Sequence, residues 1–159
     1  MASDVTELKE QIRREFVAGS PPAIVASGNS GVGYDQVERA RVQDCFGGKD
    51  WAAVDVSELD HPQSSALYYL TYEAFFYYLP ALMIGVLEGL EILLSMLGKF
   101  ELAVKEDKVP QLTLFQTEVV LDWLAWTESS RSELDCGYSS ALAEASLAER
   151  VAKHLRARA

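Results

Sequence analysis

The sequence predicts an all-α fold, a single compact domain of roughly five to seven helices around one central apolar helix. Three observations carry this. Apolar residues return every three to four positions in several segments, the period of one helix face. No segment shows sustained apolar–polar alternation, the period of a half-buried strand. The chain has 159 residues, 49% of them hydrophobic, which suits one domain with a real core.

The first helix is expected over Val5–Val17. Ser3 or Asp4 caps it, Glu7 sits where the helix dipole favours an anion, and Leu8, Ile12 and Phe16 form its apolar stripe. Gly19-Ser20-Pro21-Pro22 ends it. Residues 18–33 form a connecting loop in which Ala23–Ala26 reads as a short strand or an extended packing segment. Gly28, Gly31 and Gly33 lack the Gly-Lys-Ser/Thr ending of a phosphate loop, and Asn29–Gly33 is ordinary loop chemistry.

A second helix is expected over Asp35–Phe46, stopped by Gly47-Gly48. Its apolar positions (Val37, Ala40, Val42, Phe46) are few beside Glu38, Arg39, Arg41 and Asp44, which predicts a surface helix. Trp51–Leu59 reads as a short helix or irregular turn, and His61-Pro62-Gln63 as a break.

Seven of the sixteen aromatics fall between Tyr68 and Tyr78, so this block belongs to core or interface. Thr71 is a good cap, with Glu73 in the first turn. Tyr68, Tyr72, Phe75, Phe76 and Leu79 share a helical face, with Tyr77 and Tyr78 directed elsewhere. Pro80 lacks an N–H and is expected to divide the region into helices 72–79 and 80–98. The second is apolar nearly all round, apart from Glu88, Glu91 and Ser95, and so is central. Ala81, Gly85 and Gly89 allow close backbone approach, and Gly98 fits a C-cap.

Phe100–Val109 is charged and reads as a loop or frayed turn. Thr113–Thr127 is a strong helix signal with a Thr113/Gln116 capping box and an apolar stripe of Phe115, Val119, Trp123 and Trp126, flanked by Val120 and Leu124. Residues 129–138 form a polar linker. Ser140–Arg158 is a terminal helix with Leu142, Ala145, Leu147, Val151 and Leu155 inward, and with Lys153, Arg156 and Arg158 suiting the C-terminal dipole.

Two blocks carry a resemblance. Leu70-Thr71-Tyr72-Glu73-Ala74-Phe75-Phe76-Tyr77-Tyr78-Leu79-Pro80-Ala81 is similar to a Leu-Thr/Ser-x-Glu-Ala-Phe-x-Tyr-Tyr-Leu-Pro-Ala block, and Leu112–Val120 to a later Leu-Thr-x-x-Gln-x-x-x-Val block. Together they resemble a family of small bacterial all-α proteins classified as a domain of unknown function, over about residues 35–128. Leu114-Phe115 stands where that family has Pro-Glu. The resemblance implies the all-α fold and no catalytic residues.

Charge narrows the function. Residues 1–49 hold seven acids against six Lys/Arg, and residues 131–159 four against five. Residues 50–130 hold thirteen acids against Lys99, Lys105 and Lys108, and no Lys or Arg occurs from Asp50 to Gly98. Such a field attracts cationic partners and repels nucleic acid. A non-catalytic protein-binding protein with a basic protein partner is therefore expected, in concrete form an immunity or antitoxin-type inhibitor of a basic toxin. The candidate partner-binding residues are Asp55, Glu58, Asp60, Glu88, Glu91, Glu118 and Asp122.

The alternatives are an uncharacterised structural or interaction domain, and a metal-binding or enzymatic role for Glu88 and Glu91. Against the latter, the Glu-x-x-His ligand pair is absent, Asp60-His61 stands alone, and no Ser/His/Asp or zinc spacing occurs. No catalytic residue, metal or cofactor is therefore expected. Cys45 and Cys136 read as reduced thiols, since neither has a histidine nearby in sequence. The longest uncharged apolar run, Ala74–Leu87, is shorter than the roughly 18 residues of a membrane span. Anionic lipid also disfavours a middle so poor in Lys/Arg. The N-terminus shows no apolar run before a cleavage site, so a cytoplasmic location without membrane attachment is expected.

Overall fold

The computed structural model describes residues 4–17, 19–26, 34–59, 66–130 and 138–159. Six helices build it: α1 (Val5–Glu15), α2 (Tyr34–Phe46), α3 (Tyr72–Leu87), α4 (Leu93–Lys105), α5 (Leu114–Ser129) and α6 (Tyr138–Arg158). Three 3-10 turns, Trp51–Ala53, Val56–Leu59 and Ala66–Tyr69, lie between α2 and α3. The fold is all-α, as expected. An isolated antiparallel bridge, Ala26 with Leu70, is the one β pairing among the described residues. The expected loop at Asn29–Gly33 with its Gly28, the break at His61–Gln63, Asp60, Cys136 and residues 131–137 of the expected linker lie outside the described residues.

Local chemistry places the helix starts. Asp4 accepts from Thr6 N–H, Thr71 from Ala74 N–H, and Thr113 with Gln116 forms the expected reciprocal capping box. Each supplies an acceptor to a first-turn N–H that has no partner within the helix. The Thr71 hydroxyl also donates to Ile24 O at 3.3 Å, and Thr71 N–H to Val25 O at 2.9 Å. These bonds clamp the extended 19–26 segment to the start of α3.

Pro80 does not divide α3. The helix runs through it and ends at Glu88. The break comes from Gly89, at φ 96°, in a Schellman closure: Leu90 N–H bonds Gly85 O at 3.0 Å and Gly89 N–H bonds Val86 O at 3.0 Å. Leu90 then folds back over Gly85. The helical stretch around Pro80, from Tyr78 to Met83, is wholly buried, so packing outweighs the missing hydrogen bond.

Helix α4 closes in the same way. Asp107 takes the left-handed position at φ 54°, and Lys108 N–H reaches Ala103 O at 2.8 Å. The stretch expected to be a loop from Phe100 is therefore mostly α4, and Gly98 lies inside that helix rather than capping it. A Cβ at Gly98 would collide with the Tyr68 hydroxyl.

Helix α4 packs along α6, α5 against both α1 and α6, and α1 against α3. The turns at 51–53 and 56–59 sit on α3, and the 66–69 turn on α2 and α4. Several faces differ from expectation. Tyr78, expected to point elsewhere, is fully buried and donates to Phe46 O and Lys49 O, both at 2.7 Å. Phe115 is 63% exposed instead of joining the stripe of α5. In α2, Val37 is exposed and Glu38 buried, the reverse of what hydropathy predicts. In α6, Ala148 and Ala152 join Val151 and Leu155 inside, while Ala145 and Leu147 are half-buried.

Charged residues also enter the core. Glu101 is buried in α4, bonded to Arg150 of α6 and 3.4 Å from Lys105. Despite burial, these two cations hold its carboxyl below the ordinary glutamate range.

Lys99 is buried too. Its Nζ donates to Tyr68 O at 3.0 Å and lies 4.6 Å from the centre of the Tyr72 ring. Burial pulls its pKa below that of an ordinary lysine, with Glu106 opposing. Charge on this side chain is costly, and its stem does the packing. Lys99→Met is therefore expected to leave stability unchanged or raise it, as read from urea unfolding midpoints. A loss above about 2 kcal/mol would mean that the ammonium–carbonyl bond holds the 66–69 turn in place.

Candidate functional site

One cleft, of about 200 Å³, brings together three parts of the chain. The 51–57 segment forms one wall with Trp51, Val54, Val56 and Asp55. The end of α3 forms the facing wall with Ala81, Ile84 and Glu88, and Leu90 follows from the turn. Arg13, in the last turn of α1, closes one end.

Local structure positions these groups. Asp50 caps the Trp51–Ala53 turn, accepting from Ala52 N–H at 2.8 Å, and Trp51 is tucked in at 6% exposure. The Tyr77 hydroxyl donates to Gly19 O at 2.9 Å. Asp55 accepts from both the amide and the hydroxyl of Ser57, and these bonds lower its pKa below the usual aspartate value. Gly85 lies between the walls, and a Cβ there would come within 2.9 Å of both Leu90 Cδ1 and Val56 Cγ2.

Of the seven acids read from sequence, Asp55 and Glu88 meet in this cleft. Glu58 is exposed in the adjoining 56–59 turn, and Glu91 is exposed just beyond the Gly89 closure. Glu118 and Asp122 are exposed on α5, away from the cleft lining, and Asp60 lies outside the described residues. Glu88 is bound to Lys9 of α1 at 2.9 Å. Because α3 ends at Glu88 and Gly89 reverses the chain, Glu88 and Glu91 do not share the helix face that the alternative metal reading required. Among the described residues no group of three or more His, Cys, Asp or Glu is placed to hold a metal ion.

Sequence reading missed Arg13, Lys9 and Trp51. Arg13 and Lys9 enter the sequence reading only as two of the six Lys/Arg of residues 1–49. Trp51 had one usable signal: a large indole in a loop-like segment next to a capping Asp is expected to be buried against something.

Cys45 sits behind the 51–59 wall, with its Sγ 3.5 Å from Asp55 O. Burial, with Glu58 adding, pushes its thiol up to about 11, so it stays protonated and a poor nucleophile near neutral pH. No helix among the described residues is long and apolar enough to cross a membrane. No family model, curated protein or solved structure matches this chain.

Proposed function

We propose that the chain is a non-catalytic binder of a basic protein, of the kind represented by an immunity or antitoxin-type inhibitor of a basic toxin. The observation that supports this reading best is the fate of Lys99. The acid-rich middle of the chain has few cations, and this one is withdrawn into the core. Asp55, Glu58, Glu88, Glu91, Glu118 and Asp122 all stay exposed. Lys105 is exposed but paired with Glu101, and Lys108 is exposed as well. An imbalance of this kind steers cationic partners and speeds encounter more than it adds to final affinity. Salt screens it over about 8 Å at physiological ionic strength.

The test is capture of partners from lysate of the source cells by immobilised wild type and by an Asp55→Lys, Glu58→Lys double variant. Both residues are exposed, so the substitutions leave the core intact. The expected result is one basic protein held at low salt, released as salt rises, and bound at least about tenfold more weakly by the double variant. Equal capture by both proteins, or no salt dependence, would overturn the reading.

A further inference from the structure

Four helix ends meet at one pole of the bundle. Gln116 Nε2, in the first turn of α5, donates to Glu15 O at the end of α1 at 3.0 Å. The Arg158 guanidinium, at the end of α6, donates to Val109 O just beyond α4 at 2.9 Å. Thr117 of α5 shares a small cavity with Val109, Leu155 and Arg158, which joins the two pairs. The last turns of α1, α4 and α6 therefore gather around the first turn of α5.

Folding concentrates cations here. Segments 13–17, 105–117 and 156–159 hold Arg13, Arg14, Lys105, Lys108, Arg156 and Arg158 against three acids, Glu15, Glu106 and Asp107. The rest of the chain holds eight Lys/Arg against twenty-one acids. All six of these cations are exposed. A strongly acidic protein thus has one basic pole.

Cations in last turns suit the helix dipole and by themselves need no ligand. The apolar side chains among them have no such explanation. Leu114 and Phe115 are 59% and 63% exposed, and Val17, two residues beyond Glu15, is 82% exposed. The first turn of a helix favours an acid, as at Glu7 and Glu73, yet α5 has none there. The Thr113/Gln116 capping box and the Gln116–Glu15 bond fix this turn, so Leu114 and Phe115 are held outward. The cavity beside them, of about 10 Å³, has room for about one water and cannot receive a partner's side chain. Protruding apolar side chains ringed by cations fit a soft anionic surface better than a shaped protein partner. A second copy would set cation against cation.

We propose that this pole docks on the surface of an anionic lipid bilayer. Leu114, Phe115 and Val17 enter the boundary between headgroups and acyl chains, and the six cations face lipid phosphates and carboxylates. Read linearly, the acid-rich middle disfavours anionic lipid, but folding assembles the pole from three separate segments. Salt screens charge over about 8 Å at physiological ionic strength, so the membrane acts on the pole far more than on the acidic remainder. Attachment through so few side chains is reversible. The pole uses none of the acids proposed above to bind a basic protein, and the two readings stand independently.

The test is co-sedimentation of the full chain with two kinds of vesicle, phosphatidylcholine alone and phosphatidylcholine with about one-third phosphatidylserine. The expected result is at least about tenfold tighter binding to the anionic vesicles, lost as salt rises. Leu114→Ser with Phe115→Ser should weaken that binding at least about tenfold, and so should Lys108→Glu with Arg156→Glu. All four residues are exposed, and circular dichroism verifies that both double variants fold. Equal binding to both vesicles, or binding to neither, would overturn the proposal. So would unchanged binding by either double variant. Sedimentation velocity without lipid addresses the other occupant. A dimer that Leu114→Ser with Phe115→Ser dissolves would assign the pole to a second copy and overturn the membrane reading.

Discussion

Trp123→Ala is expected to lower the unfolding free energy by about 3–5 kcal/mol, the range for deleting a large buried aromatic. Trp123 projects from α5, is 2% exposed, and donates from Nε1 to Met83 O at 3.1 Å. Met83 lies in the buried second half of α3, so one side chain ties α5 to the centre of the fold. Truncation removes the packed area, leaves a void in the core and breaks that tie. For a chain of this length the thermal midpoint should fall by roughly 10 °C. Urea unfolding checks the result: the midpoint falls while the slope stays constant, because the surface exposed on unfolding hardly changes. A loss below about 1 kcal/mol would show that α5 is held chiefly by its contacts with α1 and α6.

Tyr78→Phe should cost about 1–2 kcal/mol near neutral pH, since it removes the hydroxyl proton shared by Phe46 O and the part-buried Lys49 O, of which Phe46 O still accepts from Lys49 N–H. The hydroxyl serves both Phe46 O and Lys49 O, so it anchors the end of α2 and the following turn to α3. The ring also packs on Phe46 and Tyr77, with centroids 4.8 Å apart in each case, and phenylalanine keeps those contacts.

The same hydroxyl sets an alkaline limit. Burial, with Tyr77 and Asp50 adding, pushes Tyr78 up to about 12 from an ordinary value of 10.0. Between these values the unfolded chain sheds a proton that the folded chain keeps. Stability therefore falls as pH rises above about 10. Tyr72 and Tyr77 are raised as well and act in the same direction. Tyr78→Phe should flatten this decline in part, as measured by urea midpoints from pH 9 to 11. An identical pH slope in variant and wild type would rule out the assignment to Tyr78.

The helix starts were legible because capping is local chemistry. Asp4, Thr71 and the Thr113/Gln116 pair could be read from a few residues each. The break between α3 and α4 was misplaced because Pro80 is a strong local signal that its buried surroundings override. Gly89 acts through a closure that depends on Leu90 packing over Gly85. The second half of α4 was hidden for a related reason. Lys99 and Glu101 suggest solvent, yet they are buried because Tyr68, Arg150 and Lys105 supply partners from elsewhere. At the candidate site, Asp55 and Glu88 stood out by charge. Their meeting with Arg13 and Trp51 depends on α1 packing across α3, which no local pattern encodes.

The seam between α1 and α5 also bears on how the chain folds. Gln116 Nε2 of α5 donates to Glu15 O at the end of α1, two residues 101 positions apart. Such a contact forms only after a long loop has closed, and that entropy is lost before the bond returns anything. A helical chain with most contacts local collapses quickly, but this one must recruit its first helix across nearly two-thirds of its length. In kinetic terms, docking of α1 is expected to be a late event, after α4, α5 and α6 have found one another. The cleft between α1 and α3 is then among the last features to form.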